Sequence, residues 1–170
     1  MLWRDFRPSQ GYHEYRWFLE FVRNKLSPNP TVLEIGVRKG RQKYFYQNLF
    51  NADYRGIDID ISKTDGVDFI QGESCDPRTV DKIKKWLNGR KINLLFIDGD
   101  HSYNAVKKDY ETYAPLSDIV AFHDICTKNP KHLDVKRYWN ELIKDKDKIV
   151  EFKFKEPTAK YGATGIGVLL

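Results

Sequence analysis

Residues 94–104 read LLFIDGDHSYN: four apolar residues run without a spacer into Asp98, Gly99, Asp100 and His101. An apolar run bounded this sharply is the mark of a strand buried on both faces, as in parallel sheets covered by helices. The charged exit constrains the fold further. A carboxylate that ends a wholly apolar strand is costly to bury unpaired, so Asp98 should meet a cation, an amine or several donors. That combination suits an open α/β sheet, whose ligands collect outside the carboxyl ends of the strands.

The rest of the chain alternates in the same way. Tyr15, Phe18, Leu19, Val22 and Leu26 predict an amphipathic helix over 12–26 that stops before Pro28. TVLEI at 31–35 is a strand, and Gly36 to Gly40 open a helical segment ending near Phe50. YRGID (54–58) and VDFIQ (67–71) are strands separated by a turn with Asp65 and Gly66. Asp76 caps a helix with Pro77 in its first position, Val80, Ile83 and Leu87 as its stripe and Gly89 at its end. After the strand INLLFID, Ser102 caps a helix with Tyr103, Val106, Tyr110 and Tyr113 on one face, which Pro115 closes before the strand DIVAFHD. Val135, Tyr138, Trp139 and Leu142 mark the last helix. IVEFKF (149–154) and TGIGVLL (164–170) are then two strands joined by a loop with Pro157 and Gly162. Right-handed crossovers make such a sheet mostly parallel, and the last two strands, with no helix between them, can pair antiparallel to complete seven.

A chain of 170 residues holds one full core, so a single domain is expected over 1–170. No apolar run approaches the ~20 residues that cross a bilayer, and MLWRDFRPSQ lacks a signal peptide's apolar core. A soluble, cytoplasmic chain without a membrane partner follows. Cys75 and Cys126 form no CxxC pair, so both are read as reduced thiols. The net charge of +5 raises the question of nucleic acid, but lysines such as 82, 84, 85, 107 and 108 are interleaved with acids on solvated helix faces. Nucleic acid is disfavoured, and a small anionic substrate remains compatible.

The ionisable residues that look out of place sit where strands end. In VLEIGVRKG, Glu34 interrupts an apolar run, Gly36 permits close backbone approach and Gly40 opens a helix. The spacing E-x-G-x-x-x-G is not the dinucleotide GxGxxG. Asp58 follows Glu34 by 24 residues, about where an acid accepts hydrogen bonds from a ribose diol. Glu73 and Ser74 are polar contacts for a base, whereas Asp76 reads better as a cap. Asp100 and His101 also fit a plain polar turn, and His123 a buried histidine satisfied by a neighbour.

Taken in order, VLEIGVRKG, YRGIDID, FIQGESCDP, LLFIDGDHSYNAVKKD and IVAFHDI resemble the class I S-adenosylmethionine-dependent methyltransferases. The resemblance is to their methyltransferase 24 type, related to metal-assisted O-methyltransferases and cephalosporin hydroxylase-like proteins. It implies a Rossmann-like three-layer sandwich whose sheet runs 3-2-1-4-5-7-6 with strand 7 antiparallel. Residues 1–28 would form an N-terminal segment and helix covering the active site, and 31–170 the core.

The resemblance also assigns roles. Glu34, Gly36 and Gly40 would hold the methionine end of S-adenosylmethionine, Asp58 its ribose, and Ser74 with Cys75 its adenine edge. Asp98 would lie near the sulfonium and, with His123 and Asp124, would bind a divalent metal. Carboxylates suit Mg or Mn, and a histidine ligand shifts the balance toward Mn, Fe or Zn. A bound cation lowers the pKa of an acceptor hydroxyl. Without one, His101 or His123 is the natural general base beside Asp98.

The acceptor wall would come from the N-terminal segment, Gly99 to Asn104 and the insertion Cys126 to Asp134, with Trp3, Tyr12, His13 and His132 as candidates. Surface aromatics fit the core or a homodimer contact equally. VKRYWNEL resembles the sugar-modifying branch, which implies O-methylation of a small sugar-like or polyol acceptor such as a glycan or glycosylated metabolite. A non-catalytic nucleotide-binding module is the alternative. A nucleic-acid methyltransferase is a third reading, against which stands the lack of an NPPY or DPPY segment.

Overall fold

The computed structural model describes residues 12–64, 66–154 and 164–170. Seven strands form one sheet: β1 (Thr31–Ile35), β2 (Asp53–Asp58), β3 (Phe69–Gln71), β4 (Ile92–Ile97), β5 (Ser117–His123), β6 (Ile149–Phe152) and β7 (Ile166–Leu169). Their order is β3-β2-β1-β4-β5-β7-β6. Strands β3 to β5 are parallel, while β7 runs antiparallel to both β5 and β6. The expected topology is therefore present, including the reversed seventh strand.

Among the described residues, five α-helices cover the two faces: α1 (Tyr12–Arg23), α2 (Gln42–Phe50), α3 (Pro77–Leu87), α4 (Tyr103–Tyr113) and α5 (Leu133–Leu142). Successive strand residues point to opposite faces, which splits the core into two layers. Val32, Leu94, Phe96 and Ala121 meet Tyr15 and Phe18 of α1 and Phe45 and Tyr46 of α2. Leu33, Ile35, Leu95, Ile97, Val120 and Phe122 meet Ile83 of α3, Val106 of α4 and Trp139 of α5. Burial of β1 and of nearly all of β4 explains their almost unbroken apolar sequences.

Several boundaries differ from expectation for local reasons. Helix α1 ends at Arg23, and a tight turn carries the chain on to Leu26. Strand β3 begins at Phe69 because Asp68 is held by Lys43 (2.7 Å) and Arg55 (2.9 Å), and Val67 lies exposed before it. Strand β6 stops at Phe152. Asp76 caps α3 through the Arg78 amide as predicted. Ser102 occupies the cap position of α4 but makes no side-chain cap bond. Asp100 instead accepts from the Ser102 amide (2.8 Å), and Asp134 of α5 accepts from the Tyr103 amide (3.3 Å). Trp3, Asp65, Pro157 and Gly162 lie outside the described residues. Among the described residues, no helix is long and apolar enough to cross a membrane.

Candidate active site

Gly36 follows β1 with φ +83°, and a Cβ placed there would lie 2.1 Å from the Asp98 carbonyl oxygen and 2.6 Å from Gly99 Cα. The loops after β1 and β4 therefore touch backbone to backbone, an approach open only to glycine. Gly40 has a packing role, since a Cβ there would meet the Phe69 ring at 2.5 Å. Together the loops after β1, β2, β3, β4 and β5 enclose a cavity of about 810 Å³ at the carboxyl edge of the sheet.

Of the predicted site residues, Gly36, Asp58, Ser74, Cys75, Asp98, His101, His123 and Asp124 line this cavity. Asp58 accepts from the Arg38 amide (2.8 Å) and the Asp60 amide (3.0 Å), which fixes its carboxylate at the rim. Ser74 donates a short hydrogen bond to Asp109 of α4, and Cys75 Sγ lies 3.3 Å from the same oxygen. Burial raises the pKa of Asp109, with Ser74 and Cys75 opposing it through hydrogen bonds.

Glu34 and Gly40 are not among the lining residues. Glu34 points to the α1/α2 face, as the strand alternation requires. It is fully buried and accepts from Tyr54 Oη at 2.5 Å. Burial pushes its pKa up to about 8 against the opposing effect of the Tyr54 hydrogen bond, and Asp98 and Asp58 add to the rise.

At the ends of β4 and β5 the remaining groups converge. His123 Nδ1 is 3.2 Å from Asp98 Oδ1 and 3.6 Å from Asp124 Oδ2. Its Nε2 is 3.4 Å from Glu14 Oε1 of α1. Glu14 also accepts from the Gly165 amide (2.9 Å) and the Thr164 hydroxyl, so it joins α1, β5 and the start of β7. Asp124 has φ +62°, a left-handed conformation that returns its carboxylate to the rim. Asp98 Oδ, His123 Nδ1 and Asp124 Oδ all lie within 4.8 Å of one another, a spacing able to hold a cation.

His101 reaches the same carboxylates from the β4–α4 loop, 3.5 Å from Asp98 and 3.1 Å from Asp124. Burial alone would lower the pKa of His101, but Asp124 and Asp98 outweigh it and raise it to about 9. His123 is raised as well, because Asp98, Asp124 and Glu14 overcome its burial. Burial opposes ionisation of Asp98 and Asp124, yet the imidazoles keep both carboxylates below their ordinary range.

Three contributors were not singled out as site residues from the sequence: Glu14, Asp109 and, as a partner of Asp124, His132. Glu14 and Asp109 carried a signal. Each places a charge inside a helix's apolar stripe, Glu14 with Phe18 and Val22, Asp109 with Val106 and Tyr113. His132 has no such pattern, because its position depends on the turn Pro130–His132. Tyr12 and His13 do not line the cavity; they group with Trp17 and Phe154 on the outer face.

A sheet of this order, with a reversed seventh strand and a crevice where β1, β2 and β4 end, is the fold of the S-adenosylmethionine-dependent methyltransferases. Within that class the chain belongs to the rhamnosyl O-methyltransferase/CmcI family, whose model matches residues 20–163. Similar solved structures include the O-methyltransferase TomG from Streptomyces achromogenes, of tomaymycin synthesis, in complex with SAM. It is 12% identical, covers 95% of this chain and 81% of its own, and has a TM-score of 0.67. The MycE methyltransferase of mycinamycin biosynthesis, in complex with Mg and SAH, is 15% identical over 91% of this chain at a TM-score of 0.60. The match takes in 47% of MycE, so this chain spans about half of that protein. CalS11, a TDP-rhamnose 3'-O-methyltransferase of calicheamicin biosynthesis, is 14% identical, with 91% and 76% of the chains covered and a TM-score of 0.59. No curated protein matches the sequence.

Proposed function

We propose that this methyltransferase acts on a hydroxyl of a small sugar-like or polyol acceptor, a glycan or glycosylated metabolite, with a divalent cation at the rim. The observation that carries the reading is the convergence of Asp98, His123 and Asp124 beside the cavity that Asp58 and the Gly36 loop frame. The family and the rhamnose-directed neighbour support the sugar-like acceptor. Free Cys75 and Cys126 agree with a cytoplasmic setting.

The cavity suits S-adenosylmethionine in volume and polarity, and that cofactor supplies a methyl group activated by its sulfonium. Asp58 faces the cavity with a fixed carboxylate that can accept from a ribose diol. Ser74, Cys75 and Asp109 form the far edge, where an adenine amino group would find an acceptor in Asp109. Ile35, Val37 and Ile57 make the apolar wall between these ends and limit access of water.

Asp98, His123 and Asp124 would hold Mg or Mn, which lowers the pKa of a coordinated hydroxyl and fixes its direction. Glu14 orients the His123 ring from behind, the arrangement typical of ligating histidines. Only in its neutral form, the minority below about pH 9, is His101 placed to take the acceptor's proton, and the two carboxylates beside it stabilise the imidazolium that results. In the displacement, the acceptor oxygen forms its bond to the methyl carbon as the carbon–sulfur bond breaks. The proton leaves through His101.

Calorimetric titration with S-adenosylhomocysteine, with and without Mg2+ or Mn2+, tests the cofactor and metal assignments. Binding strengthened by the metal and reduced by EDTA is expected. Absence of binding under every condition would overturn the reading, and indifference to EDTA would remove the metal from it. Transfer of labelled methyl to deoxysugar nucleotides, TDP-rhamnose included, then tests the acceptor class. It should fail in Asp98→Ala and Asp124→Ala proteins that still fold.

A further inference from the structure

Asp124 faces more nitrogen than one cation position uses. Its Oδ2 lies 2.6 Å from His132 Nδ1 and 3.1 Å from His101 Nε2, as well as 3.6 Å from His123 Nδ1. These three side chains form a second group whose ligand atoms all fall within 4.8 Å of one another, and neither Asp98 nor His123 belongs to it. The His101 and His132 rings stack at 3.8 Å with 10° between their planes.

Hydrogen bonding within the cluster leaves it incomplete. Asp124 Oδ1 is buried without a hydrogen-bond partner among the described residues, while His101 Nε2 faces the Asp124 and Asp98 carboxylates. A buried polar atom ordinarily has a partner, so Asp124 Oδ1 points to a missing group. The insert that carries His132 is fixed in place. Thr127 is fully buried and accepts from the Asn129 amide, and Asn129 in turn caps the turn through the Lys131 amide.

We propose that His101, Asp124 and His132 form a second divalent-cation site, sharing Asp124 with the first. Two imidazoles and one carboxylate suit late first-row ions such as Co2+, Ni2+ or Zn2+, whereas the more oxygen-rich Asp98 position suits Mg2+ or Mn2+. Stacked rings hold their lone pairs in parallel planes, so ligation requires the His132 ring to turn. Its partly exposed place on a short turn permits this. An ion there occupies the lone pair that His101 needs as a proton acceptor, so the second site is inhibitory for the proposed transfer.

Co2+ itself is the probe, with bound metal counted after equilibrium dialysis and coordination followed by visible absorption. The folded wild-type chain should bind two Co2+, one of which excess Mg2+ displaces. His132→Ala should weaken the Mg2+-resistant ion by about 10- to 100-fold or more, the loss seen when even a supporting residue of a metal site is removed. Asp98→Asn should lose the other ion and keep this one. Far-ultraviolet circular dichroism confirms that both variants fold. If His132→Ala binds Co2+ as the wild type does, the second site is wrong and the Asp98 site stands. If Asp98→Asn changes nothing while His132→Ala loses its ion, the second site stands and the metal-assisted reading falls. No Co2+ on the wild type overturns both.

Discussion

At the scale of single residues, Glu34 shows how a side chain beside a site can be governed by the core. Its carboxyl ordinarily titrates near 4.5, and burial raises it to about 8 in the folded protein. Below about 4.5 both folded and unfolded chains hold the proton and folding carries no penalty from this group. Between the two values the unfolded chain has released the proton and the folded chain retains it, so stability falls as pH rises, by about 1.4 kcal/mol per unit. Above about 8 the contribution is flat. Urea unfolding between about pH 5 and 6, below the range where His101 and His123 add to the fall, should show this slope, and Glu34→Gln should flatten it there with little loss at pH 5. An unchanged slope in the variant would assign the pH dependence to other groups.

Among elements, α1 is tied to the sheet by one charged residue as well as by its apolar face. Glu14 reaches His123 at the end of β5 and the Gly165 amide before β7. Replacing it by alanine leaves the buried His123 and Gly165 donors unpaired, which at about 1–3 kcal/mol each predicts a loss of about 2–6 kcal/mol. The Gly165 amide should also exchange with solvent faster in Glu14→Ala. Denaturation at the wild-type midpoint with unchanged exchange would show that α1 is held by Tyr15, Phe18, Leu19 and Val22 alone. The β1 turn is stricter still: Gly36→Ala forces a Cβ into the Asp98 backbone and should cost about 3 kcal/mol or more, read from the same urea midpoint.

For the whole molecule, the cavity is assembled from five strand ends that meet only when the sheet is complete. A ligand that binds there stabilises the entire fold by about 2.7 kcal/mol at a hundred times its Kd. S-adenosylhomocysteine at that excess should therefore raise Tm by roughly 5–10 °C for a chain of this size. Asp58→Ala should lower affinity by about 10- to 100-fold, since a hydrogen bond to a charged group contributes about 1.5–3 kcal/mol. An unchanged affinity would place the ribose elsewhere.

Much of this was legible in the chain. Short apolar runs bounded by turn residues and period-3.6 apolar stripes set the seven strands and five helices. The change from apolar to charged at Asp98 marked the carboxyl edge of a central strand, and FHDI marked its neighbour. Those signals are local, because a buried strand and its exit are written in consecutive residues. The resemblance added the strand order and placed at β7 the reversal that the helix-free link between the last two strands already allowed. Tertiary structure decided what distance along the chain hides. It turned Glu34 toward the tyrosines, set Gly36 against Asp98, and brought Glu14 and His132 to a carboxylate edge from far away in sequence or across an irregular turn. Side-chain direction follows from strand register and loop closure, and these are fixed only when the whole sheet packs.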